Sequence, residues 1–258
     1  MAGFVVGRFL ADCPIRPGMV RAILDTLSAQ GGAYEPHLVR RASGEAPSRI
    51  TWSRPGGLFD DVTQEGRHTT FLRVAEGRPE PVLTLRISGT PRTQPSLVSL
   101  SVPEEVLASS QEIERILGVC KGLYLFLESP WGTVHRRARA DDVRMDAVPP
   151  VDAAAVSASP CCLLWANFFG PNVVARVGPA RFLTSAAFII EILPDGGIML
   201  VSHPSPGAAD TADGRAARAH LEDVTGIGEA LRAIGLAPAD RPLGHQLSGP
   251  RVRRRLPH

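Results

Sequence analysis

Lysine is almost missing from this chain: of 28 basic residues in 258, only Lys121 is a lysine, and the rest are arginines. Together with the abundant Ala, Gly and Pro, this bias reads as the mark of a GC-rich coding sequence. The formal net charge is only +2, which argues against a chain-wide field for nucleic acid and equally against an acidic DNA mimic. Aromatic residues are scarce at 5%, so a cluster of them stands out. Long hydrophobic runs are missing as well; no window reaches the ~18–20 apolar residues of a membrane span. The opening "MAGFVVGRFLADCPIRPG" breaks its apolar run at Arg8 and lacks the basic start and longer apolar stretch of a signal peptide. Cys13, Cys120, Cys161 and Cys162 have no CxxC spacing, and the adjacent pair reads as two small apolar side chains. A reduced, cytoplasmic compartment is the expectation, with no membrane partner.

Catalytic signatures are also lacking. There is no GxSxG elbow and no cysteine in a protease-like context. Neither GxGxxG after a strand nor GxxxxGK[ST] occurs, and "TGIGEALRAIG" has the wrong spacing for a phosphate cradle. The seven histidines form no HxxxH pair and none stands at zinc-ligand spacing from a cysteine. One constellation offers metal chemistry: "HRRARADD" places His135 upstream of Asp141 and Asp142, a set that a metal-dependent hydrolase or nuclease could use, but nothing fixes their geometry and a solvated charged loop is the favoured reading. Glu191, inside "IIEIL", either faces solvent or pairs with an Arg in a partly buried setting. The C-terminal "RVRRR" lacks interleaved aromatics, so direct nucleic-acid binding is not expected. By elimination the residues give no catalytic site, no metal site and no cofactor.

What is present is the grammar of a packed globular chain, with 44% hydrophobic and 21% charged residues. "GFVVGRFL" reads as a strand. Pro17 opens a helix in which Val20, Ile23, Leu24 and Leu27 share a stripe, stopped by Gly31 and Gly32. A long connection with a short strand near "RITW" follows. "TTFLRVA", "VLTLRIS" and "LVSLSV" alternate with period two, placing Thr70, Leu72 and Val74, then Leu83, Leu85 and Ile87, then Val98, Leu100 and Val102 on one face of an antiparallel meander. In "SSQEIERILGVCKGLYLFLE" a capping box pairs Ser109 with Glu112 ahead of an apolar helical stripe.

The order strand, helix, antiparallel strands, helix then occurs again. "CCLLWANF" reads as a strand, Pro171 starts a helix, and "PDGG" joins "AAFIIEIL" to "GIMLVSH" as a hairpin. A closing helix is expected from "TGIGEALRAIGL", with Thr225 as its N-cap. The expected class is α+β, with antiparallel sheets, helices segregated to one face and two similar halves. Residues 1–145 form the N-terminal half, 146–160 a linker, 161–240 the C-terminal half and 241–258 a flexible tail. A cleft between such halves would suit a small ligand, a third functional reading.

The stretch "LLWANFFGPNVVARVGPARFLTSAAFIIEILPDGGIMLVSHPSP" resembles the immunity protein 52 family of bacterial polymorphic-toxin systems. It carries the aromatic-Asn-aromatic-Gly-Pro strand end, a helix and a Gly-Gly hairpin, and "WGTVHR" upstream is similar to the family's Trp-Gly element. The resemblance covers the last half of the chain; the first ~100 residues match in the order of elements alone. It implies a non-enzymatic immunity protein that neutralises a nuclease-type toxin with a restriction-endonuclease-like domain. Within this reading Trp165 is a structural anchor, with Gly170 and Pro171 setting the turn, and Asn167 satisfies the first unpaired N–H groups of the next helix. The functional alternative gathers Trp131, His135 and Trp165 into one exposed patch with Arg136, Arg137 and Asn167, because aromatics and Arg dominate interface hot spots. An inhibitor of a basic nuclease cleft should present acid, for which Glu104, Glu105, Glu112 and Glu114 are candidates.

Overall fold

The computed structural model describes residues 3–11, 15–29, 34–40, 46–50, 68–74, 81–88, 96–138, 163–227 and 229–230. Ten strands form one sheet: β1 (Gly3–Ala11), β2 (Leu38–Arg40), β3 (Ser48–Arg49), β4 (His68–Val74), β5 (Pro81–Ser88), β6 (Ser96–Pro103), β7 (Trp131–Ala138), β8 (Ala166–Phe169), β9 (Ile189–Ile192) and β10 (Ile198–Val201). Their spatial order is β3-β2-β4-β5-β6-β1-β7-β8-β10-β9, and every pairing is antiparallel. The chain is α+β, as its alternating strands and periodic helices predict.

The expected boundary near residue 150 coincides with no break in the sheet. β7 pairs with β8, Trp131 opposite Phe169 and Thr133 opposite Asn167. The two described segments therefore meet strand to strand at β7 and β8. The linker (146–160) and the tail (241–258) lie outside the described residues.

On the front face, helices α1 (Pro17–Ser28) and α2 (Ser110–Phe126) cover the sheet. Pro17 stands at the first helical position of α1, where its missing N–H is not needed. The predicted stripe of Val20, Ile23, Leu24 and Leu27 is wholly buried. Half of the predicted capping box forms at α2. Glu112 N–H donates to Ser109 Oγ at 3.2 Å. The Glu112 carboxylate instead accepts from Tyr34 Oη and from Arg115, tying α2 to the segment after α1. Phe9 lies across Gly132, its neighbour in register; any Cβ at 132 would strike the ring. Phe9 then meets Phe168 edge-on, with ring centroids 5.6 Å apart, and Tyr124 stacks on Phe168 at 5.4 Å. The front core thus runs through both segments.

In β4 the residue that enters this core is Phe71, opposite Leu85. Thr70 and Leu72 do share a face, but it is the other one, because both sides of this strand carry a buried apolar residue and alternation alone does not choose between them.

The back face corrects the expectation that helices keep to one side. Helices α3 (Pro171–Val177) and α4 (Pro179–Leu183) pack there, against Trp131, Phe169, Ile198 and Leu200. The reason lies in successive residues: Phe168 points to the front core and Phe169 to the back one, so β8 is apolar on both faces and needs cover on both. Further along come α5 (Pro206–Ala209) and α6 (Ala212–Thr225). Thr211 caps α6 by accepting from Gly214 N–H at 3.0 Å, and Gly226, in the left-handed region at φ 64°, ends it. Thr225 is the last residue of α6, its Oγ1–H donating to Leu221 C=O at 2.6 Å, and the same oxygen accepts from Ile227 N–H at 3.4 Å where the chain turns helical again, with Ala230 N–H donating to Gly226 C=O at 3.1 Å.

The predicted hairpin joins β9 to β10. Gly196 takes φ 85°, and Leu193 N–H donates to Gly197 C=O at 2.8 Å. Asp195 Oδ1 accepts from Gly197 N–H at 2.9 Å, while its Oδ2 accepts from Tyr124 Oη at 2.9 Å. A Cβ at Gly197 would overlap Tyr124 Oη and stand 2.7 Å from Phe169 C=O.

Candidate functional site

The sequence-derived candidates sit on β7 and β8, at the centre of the sheet. Alternation along β7 places Trp131, Thr133 and His135 on the back, with Val134 and Arg136 on the front. The candidates whose side chains are described therefore divide between two faces, and they form no single exposed patch. Trp131 is 8% exposed, Trp165 1% and Asn167 0%; each is held inside the protein.

Trp165 anchors the entry to β8. Its indole Nε1–H donates to His203 C=O at 2.9 Å, while Ser202 N–H donates to Trp165 C=O at 2.8 Å. The strand start is thereby fixed to the residues following β10. Asn167 does not cap a helix. Its Oδ1 accepts from Leu164 N–H and its Nδ2 donates to Leu164 C=O, both at 3.0 Å. One buried amide thus serves both backbone groups of a half-buried residue outside the strand ladder, whose C=O also accepts from Ser202 Oγ at 3.3 Å. Gly170 takes the N-cap position of α3 with no side-chain bond.

Trp131 differs from Trp165. Its indole nitrogen is buried without an acceptor among the described residues, a cost of about 1–3 kcal/mol set against the area of the ring that it buries. His135 is half-buried on the back face, and Arg136 is exposed on the front, where its Nε–H donates to Glu104 Oε2 at 2.7 Å. Arg137 is the backbone register partner of Phe4. Asp141 and Asp142, the other members of the metal-site alternative, lie outside the described residues. No group of three or more His, Cys, Asp or Glu that could hold a metal occurs among the described residues.

The four acidic candidates are not equivalent. Glu104 is paired with Arg136, and Glu112 with Tyr34 and Arg115. Glu114 projects outward from α2 and Glu105 from the turn before it. Glu191 is paired rather than solvated alone: its Oε1 lies 3.0 Å from the Nζ of the sole lysine, Lys121 on α2. Near the end of β10, burial and then the Arg218 guanidinium hold the His203 imidazole below its usual range. Arg218 is itself buried, 3.8 Å from Asp210.

Sequence reasoning missed the exposed apolar residues. Leu183, Phe188 and Ile192 are 49%, 55% and 63% exposed. Leu183 ends α4, Phe188 directly precedes β9 and Ile192 ends it, in stretches whose apolar content reads as core. The available signal was the shortness of "IIEI" next to a tight hairpin, which suits a terminal strand.

An architecture of this kind, one antiparallel sheet with helices on both faces and no gathered catalytic set among the described residues, defines an α+β protein by fold and leaves its class of activity open. No family model matches the chain, and no curated protein matches it. Among solved structures, the Pseudomonas aeruginosa T6SS protein PA0821 is similar in fold, with a TM-score of 0.60 at 16% sequence identity; the match covers 96% of this chain and 79% of that one. No described helix is long and apolar enough to cross a membrane.

Proposed function

We propose that the protein is a cytoplasmic immunity protein that acts without catalysis, by binding and occluding a cognate nuclease-type toxin. The observation that carries this reading is the likeness in fold to a T6SS protein over 96% of the chain. It joins the resemblance of residues 163–206 to the immunity protein 52 family. The burial of Trp131, Trp165 and Asn167 agrees with a scaffold role for the residues that carry the resemblance. Toxin recognition then falls to surface residues outside them.

A nuclease cleft that grips DNA is basic, and its inhibitor gains on-rate and specificity from local acid even when its net charge is near zero. The surface that offers this is the start of α2 with the turn before it, where Glu114 and Glu105 project outward. Arg136, exposed and paired with Glu104 beside this surface, orients one of its carboxylates. The test is co-expression in cells with the toxin encoded by the neighbouring gene. The wild-type protein is expected to restore growth, and Glu114→Arg to protect less. Failure of the folded wild-type protein to protect would remove the proposal.

A further inference from the structure

The two ends of the sheet are built differently. At one end β3 is two residues long, preceded by Pro47 and exposed at Ser48 and Arg49, features that block strand addition. At the other end β9 pairs only with β10 and has no proline, no basic residue and no register shift. Leu183, Phe188 and Ile192 are three of the four large hydrophobic residues exposed among the described residues. The fourth, Val224, is on α6.

We propose that the protein self-associates through the β9 edge, two copies pairing antiparallel about a two-fold axis normal to the sheet and centred on Ile190. Two identical edges can pair antiparallel only about an axis in that direction, which keeps each face of the sheet continuous across the junction. Register partners must then lie on the same face. On the back face Phe188 meets the second copy's Ile192, and Ile190 meets its own equivalent. On the front face Ile189 meets Glu191, whose charge is already balanced by Lys121 at 3.0 Å. Centring on Glu191 would set two carboxylates opposite each other, which is destabilising. Centring on Ile189 would leave Ile192 beyond the paired strands. The stretch "FIIEI" is thus self-complementary in one register, with no unpaired charge at the junction.

The area sets the strength. Exposed side chains of this size contribute on the order of 100 Å² each, so Phe188 and Ile192 supply roughly 200 Å² of apolar surface per copy, against about 800 Å² per partner in a stable complex. The dimer is accordingly weak and concentration-dependent, and it leaves the acidic surface at α2 free; it does not rest on toxin binding.

Analytical ultracentrifugation of the full chain, from about 10 to about 500 μM, covers the range over which an interface this small dissociates. The average mass is expected to rise from the single-chain 27.6 kDa towards twice that value. Ile192→Lys and Phe188→Ser, both at exposed positions, are expected to stay at 27.6 kDa with unchanged melting midpoints, while Val224→Lys behaves as wild type. A wild-type protein of single-chain mass throughout would overturn the proposal, as would association that folded Ile192→Lys and Phe188→Ser leave intact.

Discussion

Trp165 and Asn167 answer at the residue scale why a chain poor in aromatics concentrates them around residue 167. Each closes a backbone group that the short β8 strand cannot serve by its ladder alone. Trp165→Ala removes a buried ring and its bond to His203 C=O, and is expected to lower stability by about 3–5 kcal/mol in denaturant unfolding. Trp165→Phe should lose only about 1 kcal/mol, from the missing hydrogen bond and a small void. Asn167→Leu leaves Leu164 N–H without its partner and Leu164 C=O with Ser202 Oγ alone, at about 1–3 kcal/mol in all. An unchanged midpoint for Asn167→Leu would mean that water reaches Leu164. The anchoring role of Trp165 was legible from its place in an apolar strand, whereas the partner of Asn167 and the inward direction of Trp131 were not. Whether an aromatic on β7 faces core or solvent depends on α3 and α4 lying over the back face, a non-local arrangement that strand periodicity does not carry.

Both tyrosines give a second test at this scale. Burial, then the hydrogen bond to Glu112 for Tyr34 and to Asp195 for Tyr124, raises each phenol well above its ordinary value of about 10. A raised folded value means that the native state holds its proton more tightly than the unfolded chain does. The stabilisation is therefore complete below pH ~10 and is lost as pH rises above it. Alkaline unfolding followed by circular dichroism should show that loss, with a shallower slope in Tyr124→Phe.

At the scale of elements, the hairpin is where sequence and structure agree most closely, since Gly196 and Gly197 are each required for a different reason. Gly196 supplies positive φ, and Gly197 leaves room for Tyr124 Oη. Gly197→Ala is expected to cost about 1–3 kcal/mol because the Phe169 carbonyl, a backbone atom, cannot move aside as a side chain can. A melting midpoint equal to wild type would show that the β8–β10 pairing is looser than drawn. Helix α6 was not legible. Its "ADGRAARAHLEDVT" buries only Gly214, Arg218 and Leu221, so no apolar stripe marks it, and its N-cap Thr211 is one of many polar residues in a Gly- and Ala-rich stretch. By contrast α1 and the strands β5 and β6 carried unbroken periodicity and were readable.

At the scale of the molecule, the sheet runs unbroken from β3 to β9, and the front core spans both segments through Phe9, Tyr124 and Phe168. Unfolding should therefore be one cooperative transition, with tryptophan fluorescence and circular dichroism giving coincident midpoints; two separated midpoints would mean that the segments are energetically independent. The repeated order of elements made two halves visible in the sequence. The strand pairing that joins them was not, because β7–β8 register is a long-range property.

The central claim, neutralisation by binding rather than by catalysis, is tested most directly by titrating the purified toxin domain with this protein while following toxin activity. A binder inhibits in proportion to the fraction of toxin occupied, so activity should fall linearly to an end point of about one molecule per toxin when the complex is tight. Residual activity that keeps falling with time below that ratio would reveal turnover, in which case His135, Asp141 and Asp142 become the residues to mutate. Full toxin activity in the presence of excess folded protein would contradict the account outright.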